Sequence, residues 1–219
     1  MLINLSYICT EEQTVFQEFF EKRCGATGKG KGMTGFHLDL KAAHYRPEYL
    51  SDLFPRLAAA GYDHVFIEIE DKVRLETTPG AEWCEAYTKE EFARILSAAR
   101  RAGLTPVPLI QTLGHLEWLL SHRAWHGLRE SPATAYMVCP SKAESAAFLI
   151  RYMDEVGELF GNPPFMHLGA DEAWLLGNCP QCAQRVAAGS RSALFFEHMD
   201  KLFRHALSRG WRPIAWADI

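Results

Sequence analysis

Hydrophobic and polar residues alternate in five short runs, and longer stretches with helical spacing separate those runs. Val65, Ile67 and Ile69 alternate with Phe66, Glu68 and Glu70, while Phe36, Leu38 and Leu40 alternate with His37, Asp39 and Lys41. A period of two marks extended chain with two unlike faces. The pattern predicts strands over Gly35–Lys41, His64–Glu70, Thr105–Thr112, Phe165–Glu172 and Pro213–Ile219. Helices are expected between them. The first begins near Pro47, a residue suited to an opening turn, and stops at Gly61. The second opens with the capping box Thr88-x-x-Glu91 and stops at Gly103. The third opens with Ser141-x-x-Glu144 and stops at Gly161, and the fourth runs from Arg191 to Arg209 before Gly210.

Helices that each lead into an apolar run imply a parallel sheet. A doubly wound sheet is covered by helices on both faces, so its central strands should be apolar on both sides. These strands are not. One face suits helices, and the other turns polar toward the C-terminal end, as in a barrel whose interior opens into a site at the top. The expected class is therefore α/β, a (β/α)8 TIM barrel. Such a barrel typically takes ~250 residues, and only about the first five β/α units are visible in these 219 residues. The chain is expected to be incomplete as a barrel, with residues 35–219 a partial catalytic domain and 1–34 a preceding helix (Glu11–Lys22) and Gly/Lys loop. An open sheet edge after the fifth strand would favour self-association.

Composition narrows the partners. A net charge of −4 gives no electrostatic footprint for nucleic acid or an anionic membrane. No apolar run approaches the ~20 residues of a membrane span. The start, Met1-Leu-Ile-Asn-Leu-Ser-Tyr7, lacks a basic segment and a small-residue cleavage site, so no signal peptide is expected. Six cysteines are too few for a disulfide scaffold, and a reduced, cytoplasmic protein is the expectation.

The densest chemistry is in Phe165-Met-His-Leu-Gly-Ala-Asp-Glu172. Alternation would put His167, Gly169 and Asp171 on one face, with Glu172 at the exit of the strand. Two ionised carboxylates there need partners, although Asp and Glu also cap helix N-termini. Neighbours on one strand straddle a sugar poorly. They suit a route in which one carboxyl donates a proton and the other orients a substrate's own acetamido nucleophile. His115, in the turn after the third strand, could tune that acid or be an ordinary loop histidine. Glu68, Glu70 and Asp71 end the second strand. One of them could pair with His115 or Lys41, or the three could be a solvated charge run. The Cys179-Pro-Gln-Cys182 motif supplies two of the four ligands zinc needs. Cys139 could join only in three dimensions, so the ligand count favours a loop of free thiols and no metal or cofactor is expected.

Taken together, the chain resembles glycoside hydrolase family 20, and within it the hexosaminidase D group of intracellular β-N-acetylhexosaminidases. His37-Leu-Asp-Leu-Lys41, Glu68-Ile-Glu-Asp71, Pro108-Leu-Ile-Gln-Thr-Leu-Gly-His-Leu-Glu117, His167-Leu-Gly-Ala-Asp-Glu172 with Leu176-Gly177, and Trp216-Ala-Asp218 carry the resemblance. It implies a TIM barrel that hydrolyses terminal β-linked GlcNAc or GalNAc from glycans or glycoconjugates with retention. By similarity Glu172 is the general acid/base, Asp171 holds the acetamido nitrogen, and His115 supports the acid. The residues placed around the sugar are Asp39, Lys41, Glu70, Asp71, His167, Trp174, Trp216 and Asp218. Lys41 stands where many members have an arginine, and Ala217 replaces an aspartate of the Trp-Asp-Asp motif. Two other readings remain. One is a metal-dependent barrel enzyme using His115, His167 and carboxylates as ligands. The other is a non-catalytic sugar-binding fragment.

Overall fold

The computed structural model describes residues 32–41 and 43–216. The helix expected over Glu11–Lys22, most of the loop that follows it, and Asp218 lie outside the described residues. Five parallel strands form one sheet in the order β1-β2-β3-β4-β5. They are β1 (Gly35–Asp39), β2 (His64–Glu68), β3 (Thr105–Leu109), β4 (Phe165–His167) and β5 (Arg212–Ile214). The helices are α1 (Pro47–Ala59), α2 (Lys89–Arg101), α3 (Glu117–Leu120), α4 (Ala143–Leu159), α5 (Pro180–Ala188) and α6 (Arg191–Ser208), with a 3-10 segment at Arg123–Leu128. Sequential order without a reversal is what a singly wound sheet requires, and it excludes the doubly wound alternative.

The helix limits follow local chemistry. Pro47 opens α1, and the Thr88–Glu91 box caps α2, with Glu91 N donating to Thr88 Oγ1 at 3.1 Å and Thr88 N donating to Glu91 at 2.9 Å. Gly61, Gly103, Gly161 and Gly210 all take positive φ just beyond helix ends, where a side chain would be strained. The Ser141-x-x-Glu144 expectation fails. Helix α4 starts one residue later than that box requires, and its N-cap Lys142 makes no side-chain cap. Ser141 instead lies 3.0 Å from the Cys182 thiol and accepts from Arg185. Helices α3 and α5 were not expected at all.

Every strand is shorter than its apolar run, and β3 shows one reason. Thr105 N donates to Asp63 O and Ile110 N to His167 O, so odd residues of this stretch bond toward β2 and even residues toward β4. Pro106 and Pro108 therefore have no N–H to offer β4, and the two strands pair only at Leu109↔His167. On the β2 side the ladder runs from His64↔Thr105 to Glu68↔Leu109.

The two faces differ as the alternation predicted. Leu38, Val65 and Ile67 pack with Phe54, Phe92 and Phe148 in the large core beneath the helices. The opposite face carries a small cluster of Phe66, Val107 and Leu109, flanked by Phe165, Ile214 and Trp216. Between α4 and β5, Trp211 is fully buried against Gly157, where a Cβ would meet the indole at 2.2 Å. A rigid ring cannot give way by that amount. Gly157→Ala is expected to cost about 1–3 kcal/mol through overpacking, seen as a lower urea midpoint. An unchanged midpoint would mean that the ring has room to move.

Candidate active site

The C-terminal ends of β2, β3 and β4 converge, and their exits are strained. Five described non-glycine residues have positive φ, and four of them lie at these exits: Glu70 (φ 39°), His115 (56°), Ala170 (71°) and Glu172 (49°). Left-handed backbone at such residues costs of order 1–3 kcal/mol each, and it collects where geometry serves a site. Because β4 ends at His167 and Gly169 turns left-handed as well, the expected alternation of His167, Gly169 and Asp171 on one face does not hold. The turn needs glycine. A Cβ on Gly169 would lie 2.1 Å from Gln111 Oε1 and 3.0 Å from the Ile110 carbonyl.

This turn brings both acidic side chains to one histidine. His115 Nε2 is 3.4 Å from Asp171 Oδ2 and 3.3 Å from Glu172 Oε2. The neighbouring carboxylates thus share a partner where regular strand geometry would send them apart. Glu172 is nearly half exposed, whereas Asp171 and His115 are mostly covered. Tyr136 completes the group. Its hydroxyl donates to the Glu172 carbonyl at 2.8 Å and lies 3.3 Å from His115 Nε2. Gly114 permits the approach, since a Cβ there would sit 2.8 Å from the Asp171 carbonyl. From α6, buried His198 donates Nε2–H to the Thr112 carbonyl at 2.9 Å and steadies the turn that carries His115. Burial pushes the His198 pKa down to about 4, so it works as a neutral donor.

The β1 and β2 exits hold a second group. Buried Glu68 accepts from Gln111 at 3.0 Å and lies 2.9 Å from His37 Nε2. Lys41 Nζ is 3.7 Å from Glu68 and 3.3 Å from Glu70. Lys41 is therefore the cation that serves this pair, and His115 serves the β4 exit instead. The two glutamates are pushed apart in pKa. Burial alone would raise Glu68, but His37, Gln111 and Lys41 outweigh it and hold its carboxyl below the usual range. Burial pushes Glu70 up to about 8 against the opposing pull of Lys41, with Glu68 adding to the rise. A neutral Glu70 can donate a hydrogen bond where Glu68 can only accept.

This shift sets a pH dependence. The folded Glu70 keeps a proton that the unfolded chain releases near 4.5, so the linked stability is fully present below 4.5 and is lost as pH rises through about 8. Glu70→Gln fixes the neutral form. The melting temperature of the wild type should fall relative to this variant as pH goes from 5 to 8. Parallel curves for the two proteins would show that Glu70 is already ionised in the fold.

The remaining expected site residues are scattered in role. Asp39 accepts from the Lys41 amide at 2.8 Å, and Asp71 pairs with buried Lys72. His167 is shut off from solvent, with burial pushing its pKa down to about 3. Its Nδ1 accepts from the Gly169 amide at 3.1 Å, and its ring lies 4.5 Å from that of Trp216. Neutral His167 therefore holds the turn from below and is closed to a ligand. Trp174 is largely exposed beyond Glu172. Sequence reasoning missed Tyr136 and His198, which belong to no local motif, and gave no role to Gln111 within the Pro108–Glu117 segment.

Comparison with known proteins identifies the family and the fold. The sequence model of glycosyl hydrolase family 20, catalytic domain, matches residues 35–219. Hexosaminidase D of Bos taurus is 34% identical over 188 residues, which cover 84% of this chain and 54% of that protein. Hexosaminidase D of Homo sapiens is 37% identical over 188 residues, covering 84% of this chain and 39% of that protein. The chain thus spans about half the length of these curated relatives, or less. The fold matches Flavobacterium johnsoniae chitobiase with a TM-score of 0.74 at 18% identity, over 84% of this chain and 31% of that one. It matches β-N-acetylhexosaminidase from Bacteroides fragilis with a TM-score of 0.71 at 19% identity, over 84% and 41%. On the family match across nearly all of the described residues, this chain belongs to glycoside hydrolase family 20.

Proposed function

We propose that this chain carries the catalytic half-site of a retaining β-N-acetylhexosaminidase that cleaves terminal β-linked GlcNAc or GalNAc by substrate assistance. The observation that carries the reading is the convergence of Asp171, Glu172 and His115 at the exits of two adjacent strands. In this reading the five strands are the first five of an eight-stranded barrel, and the full-length protein supplies the rest of the sugar pocket. Two sulfur pairs, Cys139–Cys179 and Cys139–Cys182, lie 3.5 and 3.7 Å apart without a disulfide, which suits a reducing, cytoplasmic setting.

The steps assign one task to each group. Glu172, the more exposed carboxyl, protonates the glycosidic oxygen as the bond to C1 breaks. The acetamido carbonyl oxygen of the substrate attacks C1 and forms an oxazolinium-like intermediate. Asp171 accepts from the acetamido N–H, which turns the carbonyl toward C1 and balances the developing positive charge. Glu172 then takes a proton from the water that opens the intermediate, so the configuration is retained. His115 positions both carboxylates. Lys41 and Glu70 face the sugar hydroxyls from the first two strand exits, with Asp39, Asp71 and Trp216 around them.

The full-length protein tests this with paired nitrophenyl substrates. An N-acetyl-β-glucosaminide should be cleaved at least about 10³-fold faster than the matching glucoside, because only the former carries its nucleophile in place. A thiazoline mimic of the intermediate should inhibit. Equal turnover of both substrates would overturn substrate assistance.

A further inference from the structure

The ligand count that argued against a metal at Cys179 and Cys182 changes once the chain is folded. Cys139 and Glu130 come from the irregular segment between α3 and α4, far in sequence from the Cys-Pro-Gln-Cys turn that opens α5. The fold brings one ligand atom from each of these four residues within 4.8 Å of the others. All four residues are buried or nearly so.

The spacing is that of a coordination shell. Sγ of Cys139 is 3.5 Å from that of Cys179 and 3.7 Å from that of Cys182. Cys182 Sγ is 3.2 Å from Glu130 Oε2. A tetrahedral zinc ion with Zn–S bonds of about 2.3 Å and a Zn–O bond of about 2.1 Å separates its ligands by about 3.6–3.8 Å. These three edges need to open by only a few tenths of an ångström, and the other three are within 4.8 Å.

The surrounding groups orient the ligands. Glu130 Oε1 accepts from the amides of Gly177 at 3.1 Å and Cys179 at 3.0 Å, which leaves Oε2 to meet the Cys182 sulfur. Cys179 is the N-cap of α5, and its sulfur accepts from the Cys182 amide at 3.3 Å. That donated amide fixes the Cys179 sulfur beside the sulfur of Cys139. Ser141 Oγ stands 3.0 Å from Cys182 Sγ. An open cavity of ≈ 720 Å³, lined by Glu130, Lys142, Cys179 and Pro180 among others, gives an ion a way in from solvent.

We propose that Glu130, Cys139, Cys179 and Cys182 form a structural zinc site. All four positions are filled by protein, so no place remains for a reacting water, which marks a structural rather than a catalytic ion. The site ties the segment carrying Tyr136 to the loop that leaves Glu172. Val138 N donates to Leu113 O at 3.0 Å, which extends the tie to the turn bearing His115. The proposal does not depend on the hydrolytic reading, and its test measures no turnover.

The full-length protein, purified without chelator, should carry about one equivalent of zinc per chain. Cobalt(II) exchanged into the protein should give a thiolate-to-metal charge-transfer band and the intense visible bands of a tetrahedral site. Cys139→Ser and Cys182→Ser should each lower bound zinc to a small fraction of the wild-type content. The wild-type metal analysis and cobalt spectrum stand even if those variants fold poorly. Three findings would overturn the site: less than about a tenth of an equivalent after reduction and reconstitution with zinc, a Cys139–Cys179 disulfide in the purified protein, or full zinc content in a folded Cys182→Ser variant. Stoichiometric iron in place of zinc would overturn the choice of metal.

Discussion

Glu172→Gln in the full-length protein should lower kcat/KM on an N-acetyl-glucosaminide with a poor leaving group by about 10³–10⁴-fold. General acid catalysis contributes up to this much, which corresponds to roughly 4–5.5 kcal/mol of barrier. Glutamine keeps the shape but has no proton to give. The loss should shrink on a nitrophenyl substrate, whose leaving group departs with little help, and that contrast separates lost acid catalysis from a damaged site. Glu172 is nearly half exposed and already holds its left-handed backbone, so the melting temperature should barely move. A loss below tenfold on both substrates would remove Glu172 from the acid role.

Asp171→Asn should lower kcat on the same substrates by about 10²–10³-fold, the range measured when one preorganised electrostatic contact is removed from a transition state. The amide is isosteric but neutral, so it no longer balances the charge that develops on the acetamido group. Affinity for a thiazoline mimic should weaken in step with kcat, because both report the oxazolinium-like state. Unchanged inhibitor affinity alongside unchanged kcat would show that Asp171 only supports the fold. The double variant should lose less than the product of the two single losses, since both carboxylates share His115.

Much of the architecture was legible because it is local. Alternation along His64–Glu70 told the two faces of β2 apart, and they pack as expected, with Val65 and Ile67 under the helices and Phe66 opposite. The Thr88–Glu91 box and four terminal glycines set helix limits through contacts within a few residues. The strands were overextended because alternation continues past the last ladder bond. At β3 the alternation itself hides two prolines that cannot donate to β4.

The sequence by itself determined the order of elements, the parallel sheet and the Asp171–Glu172 pair, since periodicity, caps and adjacent residues all act over short separations. Tertiary structure decided how that pair is used. Left-handed backbone at Ala170 and Glu172 turns both carboxylates to His115, and no glycine in either position announces it. It also decided what Cys179 and Cys182 can bind. Cys139 and Glu130 reach that motif from 43 and 52 residues before Cys182, and Tyr136 reaches Glu172 across 36. Contacts of that span depend on how helices and loops dock around the sheet, and no local pattern in the chain encodes them.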